Sequence, residues 1–391
     1  MNESVNERSL RSPLALLVGG ILVFRLLYLY FMPLDLYPDE AYYWDWSRHL
    51  DWGYYSKPPL VAWVIALSTA LFGHTTFAVK LPSTLLSVVP LVFLPALAGR
   101  MFGRREALWT AIVLAAVPET ASLALFMSTD ALLFSCWSIA LYAFWRGSSP
   151  DCRGWGWWLA ASLAAGVGSL GKQMMLVFVP LALVFLALSR EDRRLFRDPR
   201  LWFFVFTPLL FLLPPVLWNM KMNWVTIEHT AHHFAKRGAA FAFLGTSGEF
   251  VGSQFLALSP LLFLVFLGLL PCMYASARGD RRSRYLAVFS LIPLLVVLLL
   301  SFRQKINLNW PAVFYQSGLL FLAAWGSGGI DCAGLASRLR RLFVPAVGVG
   351  VLLVLVAYSL PWALRPFGQD GGKYDTTARM KGWRELGERT A

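Results

Sequence analysis

Charge is scarce in this chain of 391 residues: only 15% are Asp, Glu, Lys or Arg, against about 25% in an ordinary soluble domain. Hydrophobic residues make up 57% and the mean hydropathy is +0.57. A soluble fold of this size could not hide so much apolar surface, so a soluble enzyme and a disordered chain are both excluded. Cysteine is sparse as well. Cys136, Cys152, Cys272 and Cys332 show no metal-ligand spacing, so neither a zinc site nor a structural disulfide is expected. Internal repeats, low-complexity linkers and any separate soluble domain are also missing.

What is present is a succession of apolar runs. Each is long enough, at roughly 1.5 Å per residue, to cross a hydrocarbon core about 30 Å thick. The expected spans are 14–33, 82–99, 107–127, 131–145, 155–170, 174–189, 201–218, 250–270, 285–301, 310–325 and 342–360. The first follows a charged N-terminus and has no small-residue cleavage site, so a retained span is expected rather than a cleaved signal. The short segment 59–73, which begins at Pro58-Pro59, is ambiguous by hydropathy, and charge decides it. If it lies on the outer surface, the arginine clusters around Arg100–Arg105, Arg146–Arg153, Arg190–Arg200, Arg278–Arg284 and Arg338–Arg341 all fall on one side, as the positive-inside rule requires. The expected fold is therefore all-α and polytopic. It has about eleven transmembrane helices in a single domain, 1–360, the N-terminus inside, juxtamembrane helices in a first outer loop at 34–81, and an outer tail at 361–391.

The net charge of +13 then divides into two populations. Arginines crowd the inner loops. All eight lysines, Lys57, Lys80, Lys172, Lys221, Lys236, Lys305, Lys373 and Lys381, fall on the outer side. Outer cations run against the orientation rule, and lysine suits phosphate as a point charge.

The outer regions carry the candidate chemistry. The first loop reads Tyr37-Pro38-Asp39-Glu40-Ala41-Tyr42-Tyr43-Trp44-Asp45-Trp46 and continues to Tyr54-Tyr55-Ser56-Lys57-Pro58-Pro59. The bland reading makes Asp39 a helix N-cap, Glu40 a partner of the helix dipole, and the aromatics an interfacial belt. The functional reading makes the acids catalytic. Asp130 is either the cap of the next span or a second acid facing the loop. Lys172, Arg303 and Lys305 are either snorkelling helix-end residues or anion ligands. His229, His232 and His233 share a helical face, a spacing compatible with metal but more common in ordinary surface histidines. Arg25 and Glu119 lie at similar depth in their spans, and a pair between them is expected, since an unpaired charge there is costly.

This arrangement resembles the polyprenyl-phosphate-sugar glycosyltransferases of the GT-C superfamily, in the branch of the bacterial aminoarabinose transferases and protein O-mannosyltransferases. The resemblance runs over about 14–325. It rests on Pro38-Asp39-Glu40 through Trp44, Lys57-Pro58-Pro59-Leu60, Leu71-Phe72-Gly73 and Lys80-Leu81-Pro82-Ser83. It continues through Thr129-Asp130, Gly171-Lys172, Glu228-His229 and Lys305 through Asn309-Trp310-Pro311. It implies a GT-C fold with the first loop lying on the membrane as two helices. It also implies Asp39 as the catalytic carboxylate and Lys57 as a ligand of the lipid phosphate. There are departures. The aminoarabinose transferases have an acid, part of a metal site, where this chain has Ser56, and a basic residue where it has Tyr42. They also carry a larger C-terminal outer domain, which is expected to be absent. No cofactor is implied with certainty, and a divalent metal would need His232 or His233 to replace the missing acid.

The expected activity is inverting transfer of a sugar from a polyprenyl (undecaprenyl) phosphate to a lipid, glycan or protein acceptor, at the periplasmic face of a bacterial inner membrane, without nucleic acid. Asp39 and Glu40 are the expected catalytic acids, and Asp130 a second acid toward the acceptor. Lys57, Lys172, Arg303 and Lys305 are expected to meet the donor phosphate. Tyr42, Tyr43, Trp44, Trp46, Tyr54, Tyr55 and His229 are expected to line the substrate groove. The alternative is a multispan transporter or lipid flippase, distinguished by a substrate-sized cavity at mid-membrane instead of at the outer face.

Overall fold

The computed structural model describes residues 2–152, 154–235 and 242–363, and beyond them 366, 371–372, 375, 377–383, 385 and 389. Those residues are helical throughout, with no strand among them. The first half comprises α1 (Asn2–Phe31), α2 (Pro38–Ser47), α3 (Leu60–Phe72), α4 (Thr76–Leu86), α5 (Val88–Met101), α6 (Arg104–Ala115), α7 (Pro118–Ser122), α8 (Thr129–Gly147), α9 (Gly156–Gly171) and α10 (Phe178–Ala187). The second comprises α11 (Pro199–Phe211), α12 (Leu213–Lys221), α13 (Val225–Ala235), α14 (Ala242–Leu258), α15 (Pro260–Gly279), α16 (Arg281–Ser301), α17 (Tyr315–Ser327), α18 (Leu335–Leu339) and α19 (Phe343–Ala363). Six stretches are long and apolar enough to cross a membrane: Pro13–Phe31, Thr76–Met101, Pro199–Lys221, Pro260–Gly279, Arg281–Ser301 and Leu335–Ala363.

The centre of the bundle is α8, buried along nearly its whole length against α5 and α9. Small residues let these helices approach closely, as membrane helices require. A Cβ on Gly168 would lie 2.8 Å from that of Cys136. Around α8, Trp137, Phe144, Phe178, Tyr285 and Phe289 form an aromatic core. The buried Tyr285 hydroxyl donates to the Leu141 carbonyl at 2.7 Å, so its polar end is satisfied.

A second, smaller core holds the first loop together. Tyr43 and Trp46 of α2, Tyr54, and Val61, Ala62 and Ile65 of α3 pack against Val79, Met127 and Leu132. With 13 residues, α3 is about 20 Å long, short of a bilayer core. Its other side exposes Leu67, Leu71 and Phe72.

Three expectations need correction. The segment 250–270 is not one helix. It breaks at the buried Ser259, whose φ of +80° separates α14 from α15. The Ser259 side chain caps the new helix by accepting from the Leu262 N–H at 3.4 Å. Apolar residues on both sides of the break hide it from a hydropathy reading. The second correction concerns Arg25 and Glu119, which form no ion pair. Arg25 donates from Nη1 to Ser87 Oγ at 2.8 Å and to the Ser87 carbonyl at 3.4 Å. Ser87 sits at the break between α4 and α5, where its hydroxyl and carbonyl both face Arg25. Equal depth in a bilayer says nothing about which way a side chain faces. The third is Cys272 and Cys332, which the fold places side by side, with a Cα–Cα distance of 5.9 Å that suits a disulfide. Their separation of 60 residues is invisible to spacing rules because the fold, not the local sequence, brings α15 beside the turn after α17.

Candidate active site

The site is built outward from the first turn of α2. Pro38 opens the helix with a fixed φ, and the N-cap is Tyr37 rather than Asp39. Capping falls to Glu40, whose carboxylate accepts from the Tyr37 N–H at 2.8 Å, the return half of a capping box. The same carboxylate accepts from the Met127 N–H at 2.8 Å and pairs with the Lys80 ammonium. Both side chains of this pair are almost wholly buried, and Lys80 also lies 5.2 Å from the Phe126 ring centre. Glu40 and Lys80 therefore tie α2, α4 and the approach to α8 into one unit. This corrects the expectation of Glu40 as a catalytic acid, because its carboxylate is enclosed and fully engaged. Lys80 is likewise structural and not an outer phosphate ligand.

Asp39, one residue earlier, points the other way. It is exposed and has no hydrogen-bond or ion-pair partner among the described residues. A helical turn separates neighbours by about 100°, so fixing Glu40 inward leaves Asp39 facing out.

Asp130 occupies the first turn of α8, with Ser128 as the N-cap. Its Oδ1 accepts from Lys172 Nζ at 2.6 Å and its Oδ2 from Asn309 Nδ2 at 2.8 Å. One carboxylate thus joins the outer ends of α8 and α9 to the segment before α17. Asn309 is a site residue that sequence reasoning quoted within the motif but gave no role. The signal was an amide between a cation-rich turn and Trp310-Pro311.

Lys57 completes the cluster. It is half-buried and has no partner among the described residues. Burial lowers its proton affinity below that of an ordinary lysine, and the like charge of Lys172 lowers it further, while Asp130 and Asp39 act in the opposite sense. The same two carboxylates, after burial, push the Tyr43 hydroxyl well above its usual range. Asp39, Lys57, Asp130 and Lys172 therefore share one electrostatic neighbourhood.

The aromatic residues divide. Tyr43 and Tyr54 are core residues, not groove residues. Tyr54 stacks on Trp46 with ring centres 4.5 Å apart, and its hydroxyl donates to the Trp46 or His49 carbonyl. Trp44 donates to His74 Nδ1 at 3.2 Å. The rim is formed by the exposed Tyr42 and by Tyr55, whose ring lies 4.7 Å from that of His229. The loop is stapled to the α12–α13 region by Asp51, which accepts from Trp218 Nε1 at 2.7 Å. The Thr226 hydroxyl adds a second staple, donating to the Tyr54 carbonyl at 2.8 Å.

Two expected phosphate ligands are not drawn into this neighbourhood. Lys305 pairs with Glu249 at 2.6 Å in an exposed bridge, and Arg303 is exposed. Neither contributes to the charges acting on Lys57. Among the described residues, no three histidine, cysteine or carboxylate groups converge as metal ligands. Ser56 stands where an acid would be needed, and the side chains of His232 and His233 lie outside the described residues. A cavity of about 30 Å³ lies at mid-bundle between Arg25, Glu119, Tyr315 and Gln316. A roomier depression, about 570 Å³, lies at the outer end of α1 beside Asp35 and Thr75–Phe77. It is not over Asp39, where an outer cavity was expected.

Comparison with known proteins agrees with this architecture. The dolichyl-phosphate-mannose-protein mannosyltransferase family matches residues 56–218. Lipid A galacturonosyltransferase RgtD of Rhizobium johnstonii is 31% identical over 315 residues, covering 79% of this chain and 64% of that protein. Undecaprenyl phosphate-alpha-4-amino-4-deoxy-L-arabinose arabinosyl transferase 2 of Sodalis glossinidius is 25% identical, covering 86% of this chain and 64% of that one. The chain thus spans slightly less than two thirds of the length of these relatives. Among solved structures, ArnT from Cupriavidus metallidurans bound to undecaprenyl phosphate superposes with a TM-score of 0.61 at 20% identity, covering 88% of this chain and 75% of that one. The archaeal oligosaccharyltransferase AglB from Archaeoglobus fulgidus does so with a TM-score of 0.54 at 12% identity, covering 88% and 56%. In sequence the chain is similar to these lipid-linked sugar transferases, and it shares the fold of ArnT and AglB.

Proposed function

We propose that this chain is an inverting glycosyltransferase that moves a sugar from a polyprenyl phosphate, such as undecaprenyl phosphate, to an envelope acceptor of the lipid A class. The observation that carries this reading is the pairing of opposites at one place. A carboxylate, Asp39, and a half-buried ammonium, Lys57, neither with a side-chain partner among the described residues, share their surroundings. The relatives named for lipid A and undecaprenyl-phosphate sugars support the donor and acceptor classes.

The chemistry follows from the two charges. Asp39 accepts the proton of the acceptor hydroxyl as its oxygen attacks the anomeric carbon. The bond from that carbon to the phosphate oxygen breaks on the opposite face, which inverts the centre. The leaving lipid phosphate gains negative charge, and Lys57 is positioned to stabilise it, with Lys172 behind it. Asp130, held by Lys172 and Asn309, sets the position of Lys172 and faces the acceptor side. The exposed Tyr42 and Tyr55 offer faces for the sugar.

The orientation belongs to the same proposal. The chain crosses a bacterial inner membrane about eleven times with the N-terminus in the cytoplasm. The domain is 1–360, α2 and α3 lie on the periplasmic surface within 34–81, and 361–391 forms an outer tail. The exposed apolar side of α3, opposite its packed side, supports a helix lying in the interface.

Two tests arise here. Lys57→Ala is expected to weaken binding of the polyprenyl-phosphate donor by roughly 10- to 100-fold, the worth of one charge-assisted hydrogen bond to phosphate. Because the proton affinity of Lys57 is lowered, wild-type donor affinity falls as pH rises, and at a lower pH than for an ordinary lysine. Lys57→Arg flattens that fall, since a guanidinium keeps its charge. Donor titrations by tryptophan fluorescence across pH check this, and unchanged affinity in Lys57→Ala removes Lys57 from the site. The orientation is checked through Cys272 and Cys332. A cytoplasmic arginine-rich end keeps this pair reduced in cells despite its bonding geometry. Thiol mass-tagging of acid-quenched cells should then label all four cysteines, whereas two protected cysteines would place that end on the oxidising side.

A further inference from the structure

At the arginine-rich end of the bundle, away from Asp39, an open pocket of about 470 Å³ is lined by Trp155, Arg194, Arg197, Asp198, Pro199 and Arg200. We propose that it binds the headgroup of an anionic phospholipid from the surrounding bilayer, with the acyl chains running along α11.

The pocket is built, not incidental. Residues Asp192–Arg197 form a 3₁₀ helix, and three residues per turn put Arg194 and Arg197 on the same face. Leu195 and Phe196 pack against the core, which turns the two arginines outward. The turn is anchored where Arg281 donates to Asp192 at 2.9 Å and to the Ser148 carbonyl at 3.1 Å. The facing loop is held by Arg200, which donates to the Cys152 carbonyl at 3.3 Å. Charges in the pocket are unbalanced. Asp198 is committed to Arg200 at 2.6 Å, while Arg194 and Arg197 are exposed and have no ion-pair partner among the described residues. Two adjacent guanidiniums match a phosphodiester, which they bind as planar forks.

Apolar continuity selects a lipid over a free anion. Trp155 meets Phe203 edge to face at 5.6 Å, and Trp202 stacks on Phe206 at 6.0 Å. All four rings are exposed, so an aromatic strip leads from the pocket along α11. The stretch Pro199–Lys221, which carries Trp202, Phe203 and Phe206, is one of the least buried of the long apolar segments. Arginines that served only to orient the chain would need the right side of the membrane, not convergence on one pocket beside an aromatic strip.

The test is native mass spectrometry of the full chain in detergent, titrated with phosphatidylglycerol or phosphatidylcholine. Wild type should retain phosphatidylglycerol preferentially, and Arg194→Gln/Arg197→Gln should lose that retention by about tenfold or more. Arg338→Gln/Arg341→Gln removes the same charge from exposed positions elsewhere on this end and should change nothing. If the first double variant does not elute as folded protein, Arg197→Gln alone replaces it. Equal loss in both pairs, or no preference in wild type, overturns the site. Displacement of phosphatidylglycerol by millimolar inorganic phosphate overturns the lipid as its occupant.

Discussion

Asp39→Asn is expected to lower the rate of sugar transfer by roughly 10²- to 10⁴-fold, the usual contribution of a positioned general base, and to leave the fold intact. The expectation rests on what Asp39 does not do. It caps no helix, pairs with no cation and is exposed. Removing its charge costs the first turn of α2 only a few tenths of a kcal/mol to about 1 kcal/mol of dipole interaction. An amide has the same shape but cannot accept the proton, so the loss falls on the chemical step. Donor binding should survive, with one diagnostic change. Asp39 is among the charges that raise the proton affinity of Lys57, so in the variant the fall of donor affinity with rising pH should begin at lower pH. Single-turnover transfer with saturating donor, beside donor titrations at several pH values, separates the two effects. A variant with full transfer rate would move the base elsewhere. Asp130 is a poor replacement because both its oxygens are committed to Lys172 and Asn309.

Lys80→Met should destabilise the protein by about 3–5 kcal/mol, the cost of leaving one member of a buried ion pair alone. The Glu40 carboxylate would keep its two backbone donors, Tyr37 and Met127, but would lose its counter-charge in a position with almost no solvent contact. The damage should spread beyond stability, because this pair holds α2 against the approach to α8 and so sets Asp39 relative to Asp130. The double variant Lys80→Met/Glu40→Gln removes both charges and should recover a large part of the lost stability. It should recover less of the activity, since the neutral pair no longer fixes α2 as tightly. Thermal unfolding in detergent and transfer assays on the same preparations distinguish the outcomes. A double variant no better than Lys80→Met would mean that packing, not charge, dominates at this position.

These two neighbours, Asp39 and Glu40, show where sequence reading works and where it stops. The membrane class, the first loop lying on the surface, and Asp39 and Lys57 as candidates were readable, because hydropathy, charge sidedness and short motifs are local properties. The structural part played by Glu40 was not legible, since its partner is a lysine 40 residues away. Lys80, counted with the outer lysines, is buried for the same reason. Asn309 was visible only as part of a motif, since its partner Asp130 is 179 residues distant. Tyr43 and Tyr54 looked like groove residues because aromatic content does not reveal facing, and packing on α3 turns them inward. The break at Ser259 and the Arg25–Ser87 contact depend on backbone dihedrals and azimuth, which composition does not carry.

The central claim is that a carboxylate and a lysine in the first outer loop, neither with a side-chain partner among the described residues, form a transfer site for a lipid-phosphate sugar. The most direct measurement is reconstitution of the purified chain in vesicles containing undecaprenyl-phosphate-linked sugars and lipid A, with both products followed by mass spectrometry. The proposed function predicts one glycosyl residue gained by the acceptor for each undecaprenyl phosphate released, with inversion at the anomeric carbon. Movement of the donor or acceptor between leaflets with no glycosyl transfer would contradict it.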